Sequence, residues 1–448
     1  MLKKIVNMGK AEFIDGFSKY DLRGRIDAIA GLTKDASGFK KALNEHLHKQ
    51  PAVQQLYSGI SENVLSNYYM PYSIAPNFLI NNRLYHVPMV TEESSVVAAA
   101  SWAAKFWAGH GGFICRSYGK IKKGQVHFIW KGDRGKLMSF FNTVKENIIN
   151  DIAPETANME KRGGGIRSID LVSGDGIPEN YYRLEVGFDT IDSMGANFMN
   201  TCLEAIASQW KIRVESNTDF AGGERHCDLL MAIFSNYTPD YITRCEVRTK
   251  VRNFHAISGK YNTEGFAGRF VHAVQIARED ISRAVTHNKG IFNGMDAVAV
   301  STGNDFRAME ANGHTYASRD GHYRSLSEAR VEHDEFIFSI EMPVSMGIVG
   351  GTTQVHPLAR YSLEILNCES VRELQEITLA AGLASNFSAV KALITEGIQA
   401  GHMKLHMANI LNQLDASEEA KKSAIRHFDG KPVSYAIVRS FLDSMKMQ

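Results

Sequence analysis

GQVHFIWKGDRGKLMSFFNTVKENIIN (124–150) opens with alternating apolar residues, Val126, Phe128 and Trp130, and then changes to a helical apolar spacing. A strand followed by a helix is therefore predicted. Outward from it, RSIDLV (167–172) and YYRLEVGFD (181–189) read as two further strands, and MGANFMNTCLEAIASQW (194–210) as a second helix. The glycines at 163–165 mark a turn between the first helix and these strands. The order strand, helix, strand, strand, helix predicts a compact α+β domain over 119–220.

On both sides of that insert the texture is different. Residues 1 to 50 are helical material with glycine breaks, and SENVLSNYYMPYSIAPNFLIN (61–81) is irregular before running into a strand. EESSVVAAASWAAKFWA (92–108) is a small-residue helix, capped by Ser94 or Ser95, against which a neighbour packs closely. HAVQIAREDISRAV (272–285) has the spacing of one amphipathic helix, and FIFSIEMPV (336–344) of a strand. From 370 onward the chain is nearly all helical. The fold class is therefore α+β. A large mixed α/β domain (1–118 and 221–395) carries the small insert (119–220), and a helical domain (396–448) ends the chain.

Composition narrows the function. With 50 basic and 49 acidic residues among 448, the net charge is +1, and no basic block provides a nucleic-acid or membrane-surface footprint. The five cysteines include no C-x-x-C pair, which fits free thiols in a reducing compartment. The apolar run Val96–Ala108 is interrupted by Lys105 and is shorter than a bilayer requires. A soluble, cytoplasmic protein is expected, with neither nucleic acid nor membrane as partner. No P-loop, Rossmann G-x-G-x-x-G, G-x-S-x-G or H-E-x-x-H motif is present, so a dinucleotide would have to bind by a non-Rossmann route.

Six segments place reactive groups among small residues: EESSVVAAAS (92–101), DSMGANFMN (192–200), THNKGIFNG (286–294), STGNDFRAMEA (301–311), GIVGGTTQVHP (347–357) and EGIQAGHMKLHMAN (396–409). Each has an ordinary reading. Lys289 is an exposed loop lysine, Asp305 an Asx-turn residue, and Glu92 with Glu93 a charged helix start. His402 and His406 stand four apart, as a metal pair would, but no third ligand motif follows and no metal is expected.

Together, from about residue 60 to about 410, these segments resemble the signature segments of 3-hydroxy-3-methylglutaryl-coenzyme A (HMG-CoA) reductases. ENV at 62–64 and GHM at 401–403 resemble the class II branch. The resemblance implies NAD(P)H-dependent reduction of HMG-CoA to mevalonate and free coenzyme A through a hemithioacetal. The same enzyme run in the mevalonate-oxidising direction, and a non-catalytic acyl-coenzyme A binding protein, are the alternatives. The catalytic group it implies is Lys289, Asp305, Glu93 and His402. Lys289 would stabilise the oxyanion formed by hydride addition, and Asp305 would stand beside it and favour its charged form. Glu93 would hand a proton to the aldehyde oxygen, and His402 to the departing thiolate. Ser94 stands where the family usually has proline.

Arg283 resembles the group that pairs with the substrate's carboxylate, and Ser95, Asn293 and Asn217 match neighbouring substrate contacts. Asp192, Met194, Gly195 and Asn197 match the cofactor segment, with Ser193 in place of its alanine. The NADH-using branch has an aspartate where Thr156 stands, and Lys161 and Arg162 precede Gly163, so NADPH is favoured over NADH. The resemblance also implies a C-terminal helical flap, and a homodimer or higher even homo-oligomer with sites at the subunit interface. Residues Glu62 to Asn67 resemble part of that interface.

Overall fold

A computed structural model describes residues 13–174, 178–395, 397, 407, 410–428 and 433–446. The chain divides into two compact units, 1–71 and 72–448. In the first, α1 (Leu22–Ala30), α2 (Ala36–Glu45) and α3 (Pro51–Ser58) start where capping chemistry allows. The Asp21 and Asp35 carboxylates accept from the Gly24 and Gly38 amides at 2.7 and 2.8 Å, and Pro51 opens the third helix. The Asn67 side chain ties the irregular stretch back by donating to the His46 carbonyl at 2.9 Å and to Gln54 at 2.8 Å.

The second unit begins with an antiparallel hairpin of β1 (Tyr72–Ile80) and β2 (Arg83–Val90), followed by α4 (Val96–Ala108). After β3 (Ile114–Tyr118) come β4 (Ile121–Trp130), α5 (Arg134–Asp151), α6 (Ala153–Glu160), β5 (Gly165–Ser173), β6 (Tyr181–Asp189) and α7 (Ala196–Ser216). Strict alternation turns Lys122, Gly124, Val126, Phe128 and Trp130 of β4 inward. There they meet a stripe of α7 that includes Cys202, Leu203, Ile206 and Trp210. The sheet is antiparallel, in the order β5-β6-β4-β7. Its fourth strand, β7 (Cys227–Phe234), lies beyond residue 220, where the sequence reading ended this domain. That strand sits at the sheet edge and leaves Leu230, Met231 and Ile233 about half exposed, so it has no clean apolar alternation to announce it.

A second antiparallel sheet, in the order β3-β8-β10-β9, contains β8 (Ile242–Lys250), β9 (Ser327–Glu332) and β10 (Glu335–Pro343). Against it lie α8 (Thr263–Glu279), α10 (Phe306–Ala317) and α13 (Val371–Ile394), while α9 (Ile281–Ser301) packs on α13 and β2, α12 (Pro357–Leu366) on β2, and α11 (Thr352–Val355) on α12. The single helix expected over 272–285 is two. Asp280 is extended, ends α8 and caps α9 by accepting from the Arg283 amide at 2.7 Å. The apolar spacing survives the break because both helices face the same core. α13 is the one described helix long and apolar enough to cross a membrane, but 72% of that window is buried inside the protein. Among the described C-terminal residues, Met407, Ile410 and Leu411 pack with α14 (Glu418–His427) and α15 (Tyr435–Lys446) in a separate apolar cluster.

Candidate active site

The site is built where α9 crosses α13. Glycines let the two backbones approach closely. A Cβ on Gly294 would stand 2.4 Å from the Ala381 carbonyl oxygen and 2.5 Å from Ser385 Oγ, and one on Gly382 would stand 2.6 Å from Met295. Lys289 is a mid-helix residue of α9, not a loop lysine, and Gly294 after it serves helix packing. The spacing of α9 brings Arg283, Thr286, Lys289, Gly290 and Asn293 onto one wall of a cavity of about 480 Å³. The start of α4 supplies Glu93, Ser95 and Ala99, and α13 supplies Ser385, Asn386 and Ser388.

Within this cavity Lys289 Nζ donates to Glu93 Oε2 at 2.5 Å, with the two side chains 57% and 38% exposed, so a ligand can reach the pair. Ser95 precedes α4 with φ +76°, a left-handed conformation that a residue with a Cβ adopts at a cost. It makes no capping bond, contrary to expectation, and its buried Oγ has no partner among the described residues. Ser385 Oγ is in the same condition. Two buried hydroxyls without a partner among the described residues suit an oxygen-rich ligand. Arg283 lies deeper, and burial pushes its guanidinium below its ordinary value. Behind it, His287 is buried, and that burial together with the Arg283 charge holds the imidazole down at about 3. It is thus neutral. His287 Nε2 lies 2.6 Å from Ser327 Oγ, which donates to Asn386 Oδ1 at 2.9 Å. Ser385, Asn386 and His287 carry no motif that marks them as site residues; SNFS (385–388) sits in so apolar a helix that its polar stripe is the available signal.

Asp305 is elsewhere in its bonding. Its carboxylate caps α10, accepting from the Arg307 and Ala308 amides at 3.0 and 3.2 Å, and pairs with the Arg307 guanidinium at 3.1 Å. The partner of Lys289 is Glu93, so the expected Lys289–Asp305 contact is corrected: an N-cap position satisfies Asp305 locally. Asn217 ends α7, accepts from the Asp219 amide at 3.2 Å and does not line this cavity. His402 lies outside the described residues.

Three more of the quoted segments meet at a second place. The turn 192–197 enters α7 at Gly195, whose φ is +83° and where a Cβ would collide with Thr190 at 2.3 Å. The Asp192 carbonyl accepts from the Ile348 amide, and its carboxylate from the Val371 amide, both at 2.9 Å. Gly347 packs against the Met194 nitrogen, so that a Cβ would lie 2.6 Å from it, and donates its amide to Asn304 Oδ1 at 2.7 Å. Asn197 is exposed at the helix start. None of Asp192, Met194, Gly195 and Asn197 lines the Lys289 cavity. Lys161 and Arg162 are exposed beside Gly163. Thr156 is not exposed. It is 1% accessible, inside α6, with its hydroxyl donating to the Ala153 carbonyl at 3.3 Å, so its assignment as a cofactor contact is corrected.

The family model of hydroxymethylglutaryl-coenzyme A reductase matches residues 24–407. The 3-hydroxy-3-methylglutaryl-coenzyme A reductase of Archaeoglobus fulgidus is 35% identical over 404 residues, covering 89% of this chain and 86% of that protein. A structure of the class II enzyme from Streptococcus pneumoniae, bound to NADPH in open conformations, aligns with a TM-score of 0.70 at 32% identity. It covers 85% of this chain and 99% of that one. A second structure of the S. pneumoniae reductase aligns at 0.71 and 31% identity over 96% of this chain and 99% of its own. Match, identity and shared fold agree: the chain belongs to the hydroxymethylglutaryl-coenzyme A reductase family, in its class II branch.

Proposed function

We propose that the chain reduces HMG-CoA to mevalonate and free coenzyme A, taking two hydrides from NADPH. The observation that carries this reading is the Lys289–Glu93 pair, held in an accessible cavity beside Arg283 and two unpartnered hydroxyls. A substrate with one carboxylate, one tertiary hydroxyl and one thioester oxygen offers partners for all of these groups.

Each group then has a task. The Arg283 guanidinium takes the substrate carboxylate, and the Ser95 hydroxyl gains the hydrogen bond it lacks. Lys289 donates to the thioester oxygen as it becomes negative, which a fixed ammonium does without reorganisation. His402 protonates the thiolate as the carbon–sulfur bond breaks. Glu93, in contact with Lys289, delivers the proton that turns the aldehyde oxygen into the product hydroxyl. Asp305, which caps α10 and pairs with Arg307, joins this network as that pairing opens on binding.

The nicotinamide cofactor, when bound, supplies hydride to the carbonyl carbon in both rounds. The residues fit such a group: Gly195 permits close backbone approach at the start of a 21-residue helix, whose N-terminus favours anions. Asp192, Met194, Gly195 and Asn197 would hold it, with Lys161 and Arg162 reading a 2′-phosphate. The S. pneumoniae neighbour bound to NADPH supports the same choice. We further propose the β5-β6-β4-β7 sheet with α5 to α7 as the cofactor domain, its end moved from 220 to include β7, and the C-terminal helices as the flap. Because the cofactor turn does not line the Lys289 cavity, we propose a homodimer in which two copies complete the site.

Cofactor absorbance followed with HMG-CoA, separately for NADH and NADPH, tests this. Oxidation of two NADPH per coenzyme A released is expected. No HMG-CoA-dependent oxidation of either nucleotide sinks the reading, and a clear NADH preference sinks the cofactor choice.

A further inference from the structure

Lys122 is the one lysine of the second unit that is nearly fully enclosed among the described residues, at 2% accessibility. It belongs to the inward-facing row of β4, where its neighbours are glycine and apolar residues. Among the described residues no carboxylate forms an ion pair with it, and Asp189 acts on it only electrostatically. Its Nζ donates instead to Thr190 Oγ1 at 2.9 Å, to the Ser193 carbonyl at 3.0 Å and to the Met194 carbonyl at 2.9 Å. The Thr190 hydroxyl spends its own proton on the Ser193 carbonyl at 2.8 Å, so it can only accept from the lysine. Three acceptors need three N–H donors, and only the charged ammonium has them.

We infer that Lys122 is the positioning residue of the cofactor turn, its ammonium drawing the Ser193 and Met194 carbonyls inward and fixing the backbone on which NADPH rests. The inference depends on the assignment of 192–197 to the cofactor. In a trans peptide the carbonyl and the following N–H point in opposite directions. Turning these two carbonyls toward Lys122 therefore turns the Met194 and Gly195 amides away from it. It also puts one positive charge directly behind a turn that must accept a polyanion.

The surroundings make this charge conditional. Burial pushes the ammonium down to about 7, and the Asp189 carboxylate at the end of β6 opposes that shift. The Tyr241 ring, just before β8, lies 4.9 Å from Nζ. Burial raises its hydroxyl to about 12, so it stays neutral across the same range. Arg372 of α13 and Asp192 reach Tyr241 electrostatically, and the Asp192 carboxylate is occupied by the Val371 amide. Deprotonation of Lys122 removes one of three bonds and the charge together.

The test compares the wild-type chain with Lys122→Met, which keeps the length and removes the charge, and with Thr190→Val, which removes one acceptor and leaves the lysine. NADPH and NADP+ dissociation constants, the KM of each substrate, and thermal midpoints are measured from pH 6 to 8.5. In the wild type, affinity for both nucleotides should weaken as pH rises through about 7. Lys122→Met should lose on the order of 10-fold in nucleotide affinity at pH 6, the equivalent of one charge-assisted bond, and lose that pH dependence. The KM for HMG-CoA should not move. Thr190→Val should weaken nucleotide binding less, keep the pH dependence, and serve if Lys122→Met does not fold. Unchanged nucleotide affinity in a folded Lys122→Met, or equal changes in both KM values, overturns the inference. A wild type that binds neither nucleotide overturns the assignment of the turn itself.

Discussion

Lys289 and Lys122 stand in the two working regions of the molecule and are bonded in opposite ways. Among the described residues Lys289, 57% exposed, has one partner, Glu93, whereas Lys122, 2% accessible, has three. The same contrast extends to their neighbours. Beside Lys289 the buried Ser95 and Ser385 hydroxyls have no partner among the described residues, while around the 192–197 turn amide and carboxylate groups find each other. A group that must act on reacting atoms is left under-bonded and reachable, and a group that shapes a binding surface is fully bonded and closed off.

The sharpest way to break this contrast is Lys289→Ala. If the accessible lysine is there for chemistry, kcat/KM for HMG-CoA should fall by roughly 100- to 1000-fold or more, the usual cost of a lost oxyanion donor. The thermal midpoint should stay put, because an exposed pair contributes little to stability. A retained rate with an altered midpoint would reverse the roles of the two lysines.

The cavity is not loosely built throughout, and pH exposes its rigid side. His287 is held near 3 in the folded chain against an ordinary value of 6.5, so the unfolded chain takes up a proton that the folded one refuses. Its contribution is constant above about pH 6.5 and is lost as pH falls toward 3. His127 and His314 are shifted in the same direction by burial. Stability should therefore decline by about 2 kcal/mol from His287 alone between pH 7 and 5, read from chemical denaturation at each pH. A flat profile, or a His287→Gln variant with the wild-type slope, would remove it as the cause.

Much of this was legible in the sequence, and the misses have physical reasons. Glu93, Ser95, Arg283, Lys289 and Asn293, which the resemblance to the reductase family implies, line one cavity; the residues alone say only that reactive groups stand among small ones, where a ligand or a backbone comes close. The same glycines misled on geometry: HNKG (287–290) looked like a loop, whereas Gly294 and Gly382 admit one helix against another. Asp280 was hidden because apolar spacing continued across it, and Thr156 because a helix interior and a loop edge accept the same short polar residue. Lys122 was hidden by its company. KIKK (120–123) reads as a charged run, yet the period of two in β4 places it on the row of Val126, Phe128 and Trp130. A lysine in register with three core residues was the signal.

Gly294→Ala tests the rigid frame on which the open side depends. The added methyl meets a backbone carbonyl at 2.4 Å, which cannot rotate away. Overpacking of this kind costs about 1–3 kcal/mol, and denaturant midpoints should show it. Activity per folded molecule should fall as well, since Asn293 and Lys289 ride on the displaced helix. Gly290→Ala is the control for stability: its nearest neighbours lie 3.9–4.0 Å away, at ordinary contact, and little change in the denaturant midpoint is expected.

The smallest expected effect separates the two kinds of construction within one residue. Ser95 has a left-handed backbone, at φ +76°, and an unpartnered buried hydroxyl, so it meets two costs in the free protein. Glycine accepts that backbone without strain and has no hydroxyl to satisfy. Ser95→Gly should therefore raise folding stability by about 0.5–1 kcal/mol, the relief of strain being partly offset by a freer unfolded chain. It should at the same time raise the KM for HMG-CoA several-fold, with the nucleotide KM unmoved. If the hydroxyl instead served the fold, stability and affinity would fall together. Opposite signs from a single substitution would show that the free protein carries this cost for the sake of the bound state.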